Sequence, residues 1–118
     1  MILHLVLFNP KSELEEAERR SFALEIQAAV REIPGIQRAI VGRSFNLNPG
    51  YARSLGDKTY EFVALLEFAD QSALLAYLSD PRHRVLGRRF WELCDSTVIT
   101  EVDAVDAQIA EVGDLLVR

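Results

Sequence analysis

Two segments of this chain are apolar on both of their faces, and nothing else in the sequence restricts its folding more. Ile2 to Phe8 is an almost unbroken apolar run, the pattern of a β-strand that is covered from both sides. Tyr60 to Phe68 carries Phe62, Ala64, Leu66 and Phe68 on one face. Glu61, Val63, Leu65 and Glu67 line its other face, so polar groups sit only near the ends. Helices can cover one side of such strands. The other side then needs a cover of its own, and a chain of 118 residues has room for one domain and little more.

The segments between these runs read as helices and turns. Asn9-Pro10-Lys11 ends the first strand, and Ser12-Glu13-Leu14-Glu15 has the form of a capping box. Phe22, Ile26, Ala29, Val30 and Ile33 then form one helical stripe, stopped by Pro34-Gly35. Ile36 to Asn46 reads as a second strand, in which Gly42 marks a bulge or a close backbone approach. Residues 47–59, punctuated by Asn48-Pro49-Gly50 and Gly56-Asp57, read as a long loop. Asp70 caps a second helix carrying Leu74, Tyr77 and Leu78. Asp80-Pro81 ends it and opens a third, with Leu86, Phe90 and Leu93 as its apolar stripe. Ser96 to Asp106 alternates as a fourth strand.

The order β-α-β-β-α-(α)-β predicts an α+β fold of the ferredoxin-like, split βαβ kind: a four-stranded antiparallel sheet with helices on one face. The domain occupies residues 1–106. Residues 107–118 form a tail, with Ile109, Val112, Leu115 and Leu116 at roughly helical spacing, that reads either as an arm on a partner subunit or as a frayed end. The uncovered sheet face predicts a homodimer through the sheet faces. Pairing two such faces over about 1,600 Å² gives on the order of 20 kcal/mol gross, against association costs of about 4–15 kcal/mol.

Charge and cysteine usage exclude several function classes. A net charge of −5 and a pI near 5.0 argue against nucleic acid as a partner. No apolar run is long enough to span a bilayer, so no membrane association is expected. A single cysteine carries no signature of an oxidising compartment, and a cytoplasmic location is expected. Two histidines and one cysteine without ligand spacing make a metal site improbable, and no glycine-rich phosphate loop is present.

Several motifs resemble a known family. Leu3-His4-Leu5-Val6-Leu7-Phe8 resembles the first strand of the stress-responsive A/B barrel (Dabb) family, and Tyr77-Leu78-Ser79-Asp80-Pro81-Arg82-His83 resembles its second and third helices. Ile33-Pro34-Gly35-Ile36, Val41-Gly42 and Leu66-Glu67-Phe68-Ala69-Asp70 are similar to the segments between. The likeness covers roughly Ile2 to Asp106 and implies a dimeric α+β barrel. It is similar at key positions to the olivetolic acid cyclase branch, which closes a polyketide ring without a cofactor. That resemblance puts a catalytic histidine at His83, a supporting tyrosine at Tyr77 and a pocket histidine at His4. It also implies a small apolar or aromatic carbonyl ligand. Three departures stand out: Asp80 replaces the first histidine of a His-Pro-x-His motif, Ile26 replaces a pocket tyrosine, and the segment from His83 to Phe90-Trp91 is shorter.

Each of these residues also has a plain packing role open to it. His83, in a first helical turn, is either a base or a group satisfying local backbone and carboxylate atoms. Tyr77 either packs on the Leu74 stripe or polarises a ligand carbonyl. His4 shares strand parity with Val6 and Phe8, and is either a satisfied core histidine or part of a pocket wall. Trp91 packs in the core or the dimer seam, or floors an aromatic site. His4, Val6, Ile26, Ala64 and Trp91 are the expected ligand-binding residues. His83 and Tyr77 are the expected catalytic pair. Arg82, Arg84, Arg88 and Arg89 form a basic cluster that either pairs with first-helix glutamates or attracts an anionic substrate.

Overall fold

The computed structural model describes residues 1–45, 47 and 59–117. Strand β1 (Ile2–Pro10) is followed by α1 (Glu16–Glu32), β2 (Ile36–Arg43) and β3 (Phe62–Phe68). Helices α2 (Gln71–Ser79) and α3 (Pro81–Leu93), strand β4 (Cys94–Asp103) and a single turn, α4 (Gly113–Leu116), complete the order. The sheet runs β2-β3-β1-β4, with every neighbouring pair antiparallel. This is the expected ferredoxin-like arrangement. The expected long loop at 47–59 lies almost wholly outside the described residues.

Register fixes the two faces. Ile2, His4, Val6 and Phe8 on β1 lie beside Ala64, Leu66 and Phe68 on β3, and these side chains point toward the helices. Phe22, Ile26 and Ala29 of α1, Leu74 and Tyr77 of α2, and Leu86 and Leu93 of α3 close over them. Phe68 is fully buried at the centre. At one end Phe8 meets Phe22, Phe62 and Phe90 with ring centroids 5.0–6.2 Å apart, mostly edge to face. The opposite face of the sheet carries Leu3, Leu5, Leu7, Val63, Leu65, Val98 and Val102.

Element boundaries depart from expectation in ways that have local causes. Helix α1 starts a turn later than the Ser12 capping box implies. The Leu14 N–H donates to the Lys11 carbonyl at 3.2 Å, closing a separate turn. The cap is therefore Glu15, whose N–H donates to the Glu18 carboxylate at 3.2 Å. Strand β2 stops at Arg43 rather than Asn46, and its register shifts between Ile36 and Arg38, not at Gly42. Gly35 takes a positive φ of 95° to turn out of α1, a conformation open to glycine. Strand β4 begins at Cys94, directly from the end of α3, and stops at Asp103. Asn9 ties three segments together: its amide donates to the Thr59 carbonyl (2.8 Å) and Ser96 Oγ (3.1 Å), and its carbonyl accepts from the Glu61 N–H (2.7 Å).

Candidate active site

Three side chains from three elements meet where β1 passes under the corner between α2 and α3. His4 reaches the helix side of the sheet by strand parity, and Tyr77 lies on the buried stripe of α2, one turn after Leu74. Asp80 makes the corner. It ends α2 and also caps α3, with its carboxylate accepting from the Arg82 N–H at 2.8 Å and Pro81 filling the first helical position. The His83 N–H donates to the Asp80 carbonyl at 3.0 Å. Because the corner is this tight, Tyr77 and His83 end with ring centroids 4.7 Å apart. His4 lies 5.7 Å from Tyr77 and 6.5 Å from His83, edge-on to both.

A fourth residue, Glu101 on β4, belongs to this group and was not anticipated from the sequence. It sits directly across from His4 in the β1–β4 register. His4 Nδ1 lies 2.7 Å from Glu101 Oε2. With the proton on Nδ1, the imidazole donates to the carboxylate, which fixes the ring's orientation. The signal lay only in the pairing of the strands: Glu101 shares parity with Ile99 and Asp103, but its partner depends on a non-local register.

The electrostatics assign each group a state. Burial, followed by the Glu101 charge, pushes the Tyr77 phenol up to about 12, so it remains a hydrogen-bond donor at neutral pH. Burial lowers the His83 pKa below its ordinary value, and His4 pushes it the same way. A hydrogen bond to the Leu78 backbone and the charges of Asp80 and Glu101 offset this only in part. Asp80 is already engaged: hydrogen bonds from Arg82, at 2.9 and 2.7 Å from the guanidinium, hold its carboxyl down at about 2. His4 and Tyr77 are each 3% exposed, whereas His83 is half-buried and Glu101 exposed. The cluster therefore runs from the core to the surface.

The other expected ligand-binding residues are distributed more widely. Val6 and Ala64 are cross-strand neighbours, buried one strand repeat from His4. Ile26 lines an apolar cavity of about 680 Å³ between α1 and the β2–β3 side of the sheet, with Phe8, Phe22, Val30, Val41 and Phe62. His4, Tyr77 and His83 do not line that cavity. Phe8, its nearest wall along β1, lies four residues from His4, roughly 13 Å at strand spacing. Trp91 is neither core nor cavity wall: it is 87% exposed on α3, because Leu86, Phe90 and Leu93 take the inward stripe. Of the basic cluster, Arg89 pairs with Glu25 of α1 at 2.8 Å and Arg82 with Asp80 at 2.7 Å. Among the described residues no three His, Cys, Asp or Glu side chains gather as metal ligands would.

Comparison with known proteins agrees with this architecture. Among solved structures, the chain is similar to a hydroxynitrile lyase from Passiflora edulis (TM-score 0.72, 15% identity, covering 89% of this chain and 94% of that one). It is also similar to a Dabb family protein with a ferredoxin-like fold from Mesorhizobium loti (TM-score 0.70, 22% identity, 89% and 97% covered). A third is a dimeric ferredoxin-like protein of unknown function from Thermobifida fusca (TM-score 0.68, 16% identity, 87% and 90% covered). No curated protein matches the chain in sequence. The family model of the stress responsive A/B barrel domain matches residues 2–104. With nearly the whole sheet-and-helix unit inside that match, the chain belongs to the stress responsive A/B barrel domain family.

Proposed function

We propose that this protein is a homodimer that binds a small apolar or aromatic carbonyl compound and acts on it as a cofactor-independent cyclase or lyase. The observation that carries this reading is the meeting of His83, Tyr77 and His4 within 4.7–6.5 Å at one helix corner. In the cyclase form His83, neutral near pH 7, takes a proton from the carbon next to the ligand carbonyl. In the lyase form it takes the proton from a cyanohydrin hydroxyl, whose C–CN bond breaks as the carbonyl forms, while the departing cyanide takes the proton from the His83 imidazolium. Tyr77, still a phenol, donates to the carbonyl oxygen as negative charge develops there. In the cyclase form, the resulting enolate carbon bonds to a second carbonyl carbon, and the alkoxide so formed recovers the proton from the His83 imidazolium. His4, oriented by Glu101, holds the ligand.

The dimer reading rests on the sheet face that no helix among the described residues covers and on the dimeric Thermobifida fusca structure. The single free thiol fits a reducing, cytoplasmic setting. The lyase from Passiflora edulis supports the reaction class only at the level of a shared fold.

A second reading has its own support. His4 and Tyr77 are almost fully buried, and neither line the large cavity. That favours a non-enzymatic dimeric module whose barrel is filled by its own side chains. Turnover assays on cyanohydrins and on poly-β-keto thioesters separate the two. The expected result is turnover by the parent chain that His83→Ala abolishes, with the fold and dimer unchanged. Equal rates in parent and variant would remove His83 from the catalytic role, and no turnover of either class would favour the module.

A further inference from the structure

We propose that residues 107–117 form an arm that packs on the partner subunit, an inference that rests on the dimer reading above. The family match stops at residue 104, so this segment lies outside it. Its last hydrogen bonds to the sheet are at Ala104, whose N–H donates to the Met1 carbonyl at 2.8 Å and whose carbonyl accepts from the Met1 ammonium at 2.9 Å, while Val112 and Leu115 farther on are half-buried. Beyond that point the backbone closes a turn, with the Ile109 and Ala110 N–H groups both donating to the Asp106 carbonyl, and then a single helical turn, α4. Ile109, Leu116 and Val117 are 86%, 82% and 81% exposed. A lone four-residue helix with no buried residue has little stability of its own. Three aliphatic side chains left in water are surface that association would remove.

The position of the segment indicates what covers it. It leaves the sheet from β4, an edge strand, beside the Leu3–Val102 pair. That pair forms the rim of the open apolar face, so a second copy seated on this face lies next to the point of departure. Two packed sheets stand about 10 Å apart. Eleven residues span up to roughly 36 Å when extended, and even wound wholly as helix they span about 16 Å, more than that spacing. A second copy of this chain is therefore the occupant within reach, and Ile109, Leu116 and Val117 are the side chains that it buries.

The test uses the full chain and the double variant Ile109→Asp, Leu116→Asp, both positions being exposed in the protomer. Sedimentation equilibrium over a wide concentration range reads the dimer constant, and circular dichroism checks the fold. The expected result is an intact fold with dimerisation weakened by about tenfold or more. An unchanged dimer constant would overturn the arm while leaving the dimer standing. A monomeric parent chain would overturn the dimer reading and the arm with it. Amide exchange of residues 107–117 gives an independent readout. Protection that appears only at dimer-forming concentrations supports the arm, and protection equal at all concentrations would mean that the segment folds on its own chain.

Discussion

At His83 two opposing influences expected from the sequence are resolved by geometry. The helix start disfavours the imidazolium and a nearby carboxylate favours it. Arg82 engages that carboxylate through both oxygens, and burial decides the balance in favour of neutral imidazole. The sign of the stability effect follows. The folded-state pKa lies below the ordinary 6.5, so below that pH the unfolded chain takes up the proton first. Stability contributed by His83 is present above about pH 6.5 and is lost as pH falls toward the folded-state value. Denaturant melts at several pH values should show the parent losing more stability between about pH 7 and about pH 5 than His83→Gln does. Identical losses would mean that the imidazole is not held neutral by its surroundings. Asp80 acts in another window: its carboxyl, depressed to about 2, contributes stability above about 3.8 that disappears as pH falls toward 2.

Among the elements, α2 and its two ends position the site. Asp70 caps it, accepting from the Ala73 N–H at 2.8 Å, and Asp80 ends it. Asp70→Ala should cost about 1 kcal/mol, read as a lower denaturation midpoint with an unchanged slope. A loss near zero would mean that packing of Leu74 and Tyr77 alone holds the helix. Both aspartates were legible in the sequence, because an acidic cap before an apolar stripe and an Asp-Pro junction are local signals. So was the element order, and with it the sheet. The start of α1 is ambiguous in the sequence because Glu13, Glu15, Glu16 and Glu18 offer more than one register that can satisfy a cap. The role of Glu101 is not legible in the sequence because it depends on which strand lies beside β4, a contact between residues almost a hundred positions apart. For Trp91, size and chemistry leave the core, the dimer seam and an aromatic site open. Helical phase gives the inward positions to its neighbours and leaves it exposed on the protomer, which removes the core alternative.

Taken as a whole, the molecule is a two-layer unit whose helices cover one sheet face and whose other face carries Leu3, Leu5, Leu7 and Leu65. Leu5 sits at the middle of that face, paired with Leu65 on one side and Thr100 on the other. Leu5→Lys places an ammonium where the dimer reading needs a dry contact, and should shift the protein toward monomer in sedimentation velocity. A variant as dimeric as the parent would move the interface elsewhere. Native mass spectrometry of gently purified protein, followed by denaturation to release any bound compound, tests the proposed function most directly. The expected result is a species of twice the 13.3 kDa chain mass carrying a discrete additional small-molecule mass. A monomer, or a dimer that stays bare even after incubation with carbonyl compounds, would contradict it.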